Sequence, residues 1–372
     1  MAEPRDIFIV CNAVDELGGL QRWAHDVSRL FAGRGHRVRL IGVEPANVRR
    51  DYGADPPYGT LTLHDRRLPR KGKSWFWKSR RASLQAAGAG RLSELFREAR
   101  PGAVVIAAQV WAGEWVAQAD TTGMITVGMS HESFEASKNS SRYNRARIYY
   151  EDLDIHLALT EADADAWARA GMTNVGAMPN PLMTTPKTQP TLDDRTVVTL
   201  GRLSHEKGID MLLEAWSLVG PQYPEWRLKI FGSGPDEQVL RVQARELGLD
   251  DTQILQGQTH DIDAALSTAS IYALPSRQEG FPISVMEAMA YGLPTVAFDC
   301  APGIRELIDD EVSGGLVVTP GNVTGMAAGL ERLMKDRDLR VRLGEAGQQS
   351  VRRFSPDSII DRWEALFALL ER

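Results

Sequence analysis

Two glutamates with seven residues between them, Glu279 and Glu287, flank the start of one apolar, helix-length run in "PSRQEGFPISVMEAMAYGLPTV". The first turn of a helix has backbone N–H groups without intrahelical acceptors and a partial positive charge, so it suits a phosphate. Gly280, Phe281 and Pro282 lead into that turn, and the amides around Ile283 and Ser284 can hold phosphate oxygens. Glu287, one turn further in, can take a ribose diol, and Glu279, just ahead of the helix, can reach a sugar hydroxyl. The plainer reading makes both glutamates surface charges. It fits Glu287 poorly, because a carboxylate among "VMEAMAYG" needs a partner. The ligand suited to this set is a polyhydroxylated anion.

A second stretch, "VVTLGRLSHEKGIDMLLEAW", runs from an apolar segment through Gly201 and Arg202 to Lys207 and Gly208, then into another helix. Two cations five residues apart beside a strand end either embrace a diphosphate, Arg as a fork and Lys as a mobile point charge, or stand as solvated surface charges. Near the start of the chain, Gly18 and Gly19 in "CNAVDELGGLQRWAHDVSRLF" precede an amphipathic helix. The pair either admits a ligand to the backbone or simply makes a strand-to-helix turn. Its spacing is not the Gly-x-Gly-x-x-Gly of dinucleotide sites, which argues against a nicotinamide or flavin enzyme. Asp163 and Asp165 in "EADADAWARAG" fall in an expected helix and read as a solvated face rather than a metal site.

The elements that must position these residues alternate almost from end to end. Apolar runs such as "DIFIVCN", "RVRLIGV", "GAVVIAA", "GMITVGM" and "DIHLALT", then "RTVVTLG", "WRLKIFG", "TQILQGQ", "SIYALPS" and "PTVAFD", are separated by helix-length segments. Continuous apolar strands are buried on both faces, which implies parallel sheets covered by helices, an α/β fold. The alternation breaks once, at "PNPLMTTPKTQPTLDD" (179–194), a stretch with the proline-rich composition of a linker. Two doubly wound halves are therefore expected, 1–182 and 183–355, facing each other across a cleft. The last helix, 356–372, carries a broad apolar stripe and either packs on its own half or crosses back to the first.

The totals agree with that picture. A chain of 372 residues exceeds one ordinary core, and 43% hydrophobic with 25% charged residues is a globular composition. A net charge of −6 gives no reason to expect nucleic acid. The two cysteines, Cys11 and Cys300, sit in apolar runs and point to a reducing, cytoplasmic setting without a disulfide framework. The start "MAEPRDIFIVCN" reads as a first strand rather than a signal peptide, and the longest apolar run is too short to span a membrane.

Taken together, "GRLSHEKG", "FGSGPDE", "LPSRQEGFPISVMEAMAYGLPTVAFD" and "FSPDSII" resemble the retaining, nucleotide-sugar-dependent glycosyltransferases of the GT-B fold, glycosyltransferase family 4. The resemblance spans nearly the whole chain and is most specific between 195 and 310. It implies two Rossmann-like domains, the second binding a nucleotide-sugar donor and the first an acceptor. It further implies that Arg202 and Lys207 neutralise the diphosphate, that Glu287 binds the ribose and that Glu279 contacts the transferred sugar. Gly18 and Gly19 match the family's glycine-rich first loop. His131 in "GMSHESF" falls where the family often has a histidine facing the donor sugar, although a lone histidine at a strand end also serves structural roles. Many members have Gly-Phe-Gly where this chain has Gly280, Phe281 and Pro282. That proline removes one donor at the helix entrance, at little cost if it occupies the first helical position. The "GFP" form with "AFDCAPGIRELI" is closer to users of UDP-hexoses or UDP-N-acetylhexosamines.

The expected reaction is transfer to a glycan, lipid-linked or secondary-metabolite acceptor, with no metal and no other cofactor. A phosphorylase or epimerase on the same fold, and a non-catalytic binder of nucleotide sugars, are the alternatives. One stretch stands apart: "HDRRLPRKGKSWFWKSRR" (64–81) mixes cations with Trp75, Phe76 and Trp77. It suits either peripheral contact of residues 66–81 with an anionic membrane or phosphorylated acceptor, or a solvated loop.

Overall fold

The computed structural model describes residues 3–53, 55–68, 75–259 and 261–371, with the side chains of residues 75–78 left aside. The chain divides into two compact units, Met1–Pro181 with Pro356–Arg372, and Leu182–Ser355.

The first unit carries strands β1 (Asp6–Cys11), β2 (Arg37–Gly42), β3 (Gly59–Thr62), β4 (Val104–Ala107), β5 (Ile125–Met129), β6 (Ile155–Ala158) and β7 (Val175–Ala177). They form one parallel sheet in the order β3-β2-β1-β4-β5-β6-β7. Ile7, Ile9 and Val10 on β1 and Val104 to Ala107 on β4 are buried on both faces of the sheet, as their unbroken apolar runs require. Asp6 opens β1 beneath two arginines: Arg37 donates to it at 2.8 and 2.5 Å, and Arg100 at 2.7 Å.

The last helix, Pro356–Leu370, belongs to this unit. Trp363 and Phe367 set their ring centroids 6.0 and 5.8 Å from Phe31 of the helix Gly19–Gly33, while Arg34 pairs with Asp361 at 2.9 Å. Its buried stripe is narrower than the sequence suggests, since Leu369 is 80% exposed.

The expected solvated face at Asp163 and Asp165 is half wrong. Asp165 is exposed, but Asp163 is buried: its carboxylate accepts from the Phe134 amide, the first of the helix Phe134–Lys138, at 2.8 Å and from the hydroxyl of Thr160, the N-cap of its own helix Glu161–Arg169, at 2.7 Å.

In the basic stretch, residues 69–74 lie outside the described residues. Arg67 pairs with Glu44 at 3.5 Å, and Arg81 donates at 2.9 Å to buried Glu114, so these two cations serve carboxylates of their own unit rather than an outside surface.

The second unit carries β8 (Thr196–Leu200), β9 (Arg227–Phe231), β10 (Leu255–Gly257), β11 (Ile271–Leu274), β12 (Thr295–Phe298) and β13 (Gly315–Val318), parallel throughout in the order β10-β9-β8-β11-β12-β13. The proline-rich stretch after Met178 has no regular structure, yet it is not a free tether: the Lys187 amide donates to Asp263 at 2.9 Å and the Thr184 hydroxyl to Glu287 at 3.0 Å. Among the described residues no helix is long and apolar enough to cross a membrane.

Candidate active site

The strand order of the second unit reverses between β8 and β11, with β9 and β10 on one side and β12 and β13 on the other. Loops leaving neighbouring strands at such a point turn away from each other and leave a crevice at the carboxyl edge. The two chemically conspicuous stretches are those loops: residues 201–208 follow β8 and residues 275–282 follow β11.

Their local structure brings them together. The 3₁₀ turn His205–Lys207 ends at Gly208 with φ 64°, a left-handed conformation that favours glycine, and a Cβ there would stand 2.0 Å from the Pro275 carbonyl oxygen. The Arg277 amide donates to the Glu206 carbonyl at 2.8 Å. The Arg277 guanidinium grips the Asp210 carboxylate through two bonds of 2.7 and 2.5 Å and donates to the His205 carbonyl at 2.9 Å. Burial acts to raise the Asp210 carboxyl, but the Arg277 bonds prevail and hold it below the usual carboxylate range.

So clamped, the loops place Lys207 Nζ 2.7 Å from Glu279 Oε1, an oxygen that also accepts from the Ser276 hydroxyl at 2.7 Å. Glu279 is almost withdrawn from solvent, whereas Lys207 keeps a third of its side chain exposed. The lysine stem passes Gly201, and Arg202 next to it is exposed. Tyr272 of β11 ties the strand ends together, exchanging hydrogen bonds of 3.2 Å with the Leu200 amide and carbonyl.

The helix Ile283–Ala290 starts directly behind Glu279. Pro282 is its N-cap, one position earlier than the first helical residue expected from sequence, and its carbonyl accepts from the amides of Val285 and Met286 at 3.0 and 3.3 Å. The amides of Ile283 and Ser284 precede the first intrahelical bond, and the proline leaves them as the donors of the entrance. Gly280 stays close to the start of the helix Pro302–Leu307 because Gly303 has no side chain; a Cβ there would lie 2.4 Å from the Gly280 carbonyl oxygen. Phe281 is buried edge-on against Phe354, centroids 5.3 Å apart. Glu287, 4% exposed, has the partner its apolar helix demands in Thr184. Burial, followed by the negative charge of Glu279, pushes the nearby Cys300 thiol up to about 12, so it stays protonated.

The remaining expected residues are in the first unit. Gly18 is the extended N-cap of the helix Gly19–Gly33, and nothing lies within 4 Å of where a side chain on Gly19 would begin. The loop before them is held by His25, whose Nε2 lies 2.8 Å from the Val14 carbonyl, and by the Tyr52 hydroxyl, which donates to the Glu16 carbonyl at 2.7 Å. His131 follows β5, with its ring edge-on to Trp23 at 4.6 Å. Burial lowers its pKa to about 4, so the ring is neutral near pH 7, and its buried Nε2 has no hydrogen-bond partner among the described residues. His131 and Leu20 line one open hollow beyond the end of β5. The structure thus gathers Lys207, Glu279, Glu287 and the helix entrance in one unit, and Gly18, Gly19 and His131 in the other.

Sequence reasoning passed over Asp210, Arg277, Ser276 and Thr184. The opposite charges of Asp210 and Arg277, each inside a motif-bearing stretch, were a usable signal; Thr184, in a stretch of linker composition, gave none.

Two family profiles match the chain: "Glycosyltransferase Family 4" over residues 17–184 and "Glycosyl transferases group 1" over residues 184–350. An uncharacterized glycosyltransferase of Haemophilus influenzae is 34% identical over 212 residues, 56% of this chain and 60% of that protein. This and two further relatives are matched over 60%, 21% and 46% of their own lengths. Among solved structures, TarM of S. aureus in complex with fondaparinux, α-GlcNAc-glycerol and UDP superposes with a TM-score of 0.80 at 15% identity, covering 98% of this chain and 99% of that one. HepE of Anabaena in complex with UDP-glucose gives 0.78 at 18% identity, with the same coverage. At such identities the structural likeness speaks for the fold.

Proposed function

This chain belongs to the family 4 glycosyltransferases of the GT-B fold, and we propose that it transfers a sugar from a UDP-hexose or UDP-N-acetylhexosamine to a glycan, lipid-linked or secondary-metabolite hydroxyl with retention of anomeric configuration. The observation that carries this reading is the Lys207–Glu279 pair set beside the entrance of the helix Ile283–Ala290, with Glu287 on that same helix. The UDP and UDP-glucose bound by TarM and HepE support the choice of base.

Departure of a nucleoside diphosphate builds negative charge on the leaving phosphate and positive character on the sugar ring. Donors fixed where that charge develops stabilise the transition state more than the ground state. Lys207 has three N–H donors and gives one to Glu279, which aims the ammonium and leaves the others for a phosphate oxygen. Arg202 and the amides of Ile283 and Ser284 complete the set, Glu287 takes the ribose diol, and Glu279 reaches the transferred sugar with its second oxygen. Neutral His131 offers a hydrogen bond to the sugar without adding charge. The protein's own cations carry the electrostatic role, so turnover is expected to continue in excess chelator. Contact of the remaining cations of residues 66–81 with an anionic bilayer belongs to the same proposal, and sedimentation with anionic vesicles tests it.

The reaction is tested by incubating the chain with UDP-sugars and acceptor glycosides, following UDP release and reading the anomeric proton coupling of the product. An α-linked product from an α-linked donor, formed with or without EDTA, is expected. A β-linked product would remove retention, and UDP release that ignores added acceptor would remove transfer.

A further inference from the structure

Residues 182–189, the first of the second unit, follow the helix Ile283–Ala290 from its entrance to its end. The Leu182 amide donates to the Phe354 carbonyl at 2.8 Å, and Phe354 packs on Phe281 just ahead of the helix. The Thr184 hydroxyl donates to Glu287 Oε1 at 3.0 Å, within the helix. The Lys187 amide and the hydroxyl of Tyr291, the residue after the helix, both donate to Asp263 Oδ1, at 2.9 and 2.5 Å. These two donors, the Tyr291 hydroxyl first, hold the Asp263 carboxyl below the usual carboxylate range. The Gln348 side-chain amide donates to the Gln189 side-chain oxygen at 3.1 Å and to the carbonyl of Ala290, the last helical residue, at 2.8 Å. A stretch that served only to span a distance would need none of these bonds.

Their effect converges on Glu287. A glutamate side chain can turn about several bonds, and the direction of its carboxylate decides whether a diol can use it; a fixed hydrogen bond on one oxygen removes that freedom. A carboxylate offers about four lone-pair positions. Thr184 takes one of them, on Oε1, and both hydroxyls of a ribose diol find places on the rest, so threonine and ribose hold the carboxylate together rather than in competition. Thr184 is itself placed by the bonds on either side of it, at Leu182 and Lys187. The plainer reading is that Thr184 only relieves the cost of burying a carboxylate among apolar neighbours. That role would alter stability and leave nucleotide affinity alone.

We propose that Thr184 is a positioning residue for the nucleotide: held by its neighbours in residues 182–189, it fixes the Glu287 carboxylate toward the ribose, and a bound ribose tightens this stretch in return. Linkage requires the return effect, because a contact that strengthens ligand binding is strengthened by the ligand to the same extent. The inference rests on the reading of Glu287 as the ribose ligand.

Calorimetry with UDP and 2′-deoxy-UDP, joined to hydrogen exchange at the Lys187 amide, tests it. Thr184→Val keeps the shape and removes the hydroxyl; it is expected to bind UDP about fivefold more weakly or worse, with 2′-deoxy-UDP far less affected. Thr184→Ser should restore most of the UDP affinity. In the wild type, UDP is expected to slow exchange of the Lys187 amide more than 2′-deoxy-UDP does at equal occupancy, and Thr184→Val should erase that difference. Unfolding midpoints without ligand verify that the variants are folded. Glu287→Ala separates the two ways of failing. If it binds UDP like the wild type, the ribose reading falls and takes this inference with it; if it loses UDP affinity while Thr184→Val does not, the ribose reading stands and the positioning role is overturned. Equal slowing of Lys187 exchange by both nucleotides in the wild type would overturn it as well.

Discussion

Lys207 Nζ lies 2.7 Å from Glu279 Oε1, joining residues 72 positions apart whose loops leave adjacent strands. Replacing the lysine alone leaves a nearly buried carboxylate whose Oε1 keeps, among the described residues, the Ser276 hydroxyl as its donor. Lys207→Ala is therefore expected to lose about 1–3 kcal/mol of stability and roughly 100-fold or more in turnover. Adding Glu279→Gln should restore much of the stability and none of the turnover. Denaturant unfolding with UDP-release kinetics reads both; wild-type turnover in Lys207→Ala would detach this residue from the diphosphate.

Arg277 acts at one remove, by holding the two loops in register through Asp210 and the carbonyl of His205. Arg277→Ala is expected to lower kcat about tenfold or more, because small misplacements of catalytic groups are expensive. Arg277→Lys restores the charge without the two-pronged grip and should fall between. Equal kcat in all three proteins would show that the clamp does not position Lys207.

Glu287 is assigned to a ribose diol, so its test is a comparison of ligands. Wild type should bind UDP more tightly than 2′-deoxy-UDP. Glu287→Ala should weaken UDP by about 1.5–3 kcal/mol and lose the distinction. A variant that still discriminates between the two nucleotides would rule this carboxylate out.

Asp6 sets a pH dependence of folding. Burial acts to raise its pKa, but the Arg100 and Arg37 hydrogen bonds outweigh it and bring the value from 3.8 to about 2. A carboxyl depressed in the folded state stabilises it above the unfolded pKa, and the benefit disappears as pH falls through the folded one. About 2 kcal/mol should therefore be lost between pH 4 and pH 2, and Asp6→Asn should remove that part of the slope. Parallel pH profiles for the two proteins, measured by urea unfolding, would contradict it.

The central strands were legible because burial on both faces leaves an unbroken apolar run, as in "DIFIVC" and "IYAL". β3, β7 and β13 were not: each is a sheet edge of three or four residues containing glycine, and none of the three is buried along its whole length. Within the site, glycines at strand ends and charges at a helix entrance announced themselves by type and spacing. What stayed hidden was pairing in space. Thr184 looked like linker and sits on Glu287; Asp163 looked solvated and caps a helix from inside. A sequence shows that a carboxylate needs a partner before it shows which residue the fold will bring.

Binding of a nucleotide sugar by the second unit, through Lys207, Glu287 and the helix entrance, is the step on which the proposed transfer depends. Thermal unfolding of the wild-type chain with UDP-, GDP- and dTDP-sugars tests it most directly, since a ligand that binds only the folded state must stabilise it. A UDP-hexose or UDP-N-acetylhexosamine at 100 times its Kd is expected to add about 2.7 kcal/mol, with the effect sharply reduced at the same concentration in Lys207→Ala and Glu287→Ala. No shift with any of these sugars, or an equal shift in the wild type and both variants, would contradict the account.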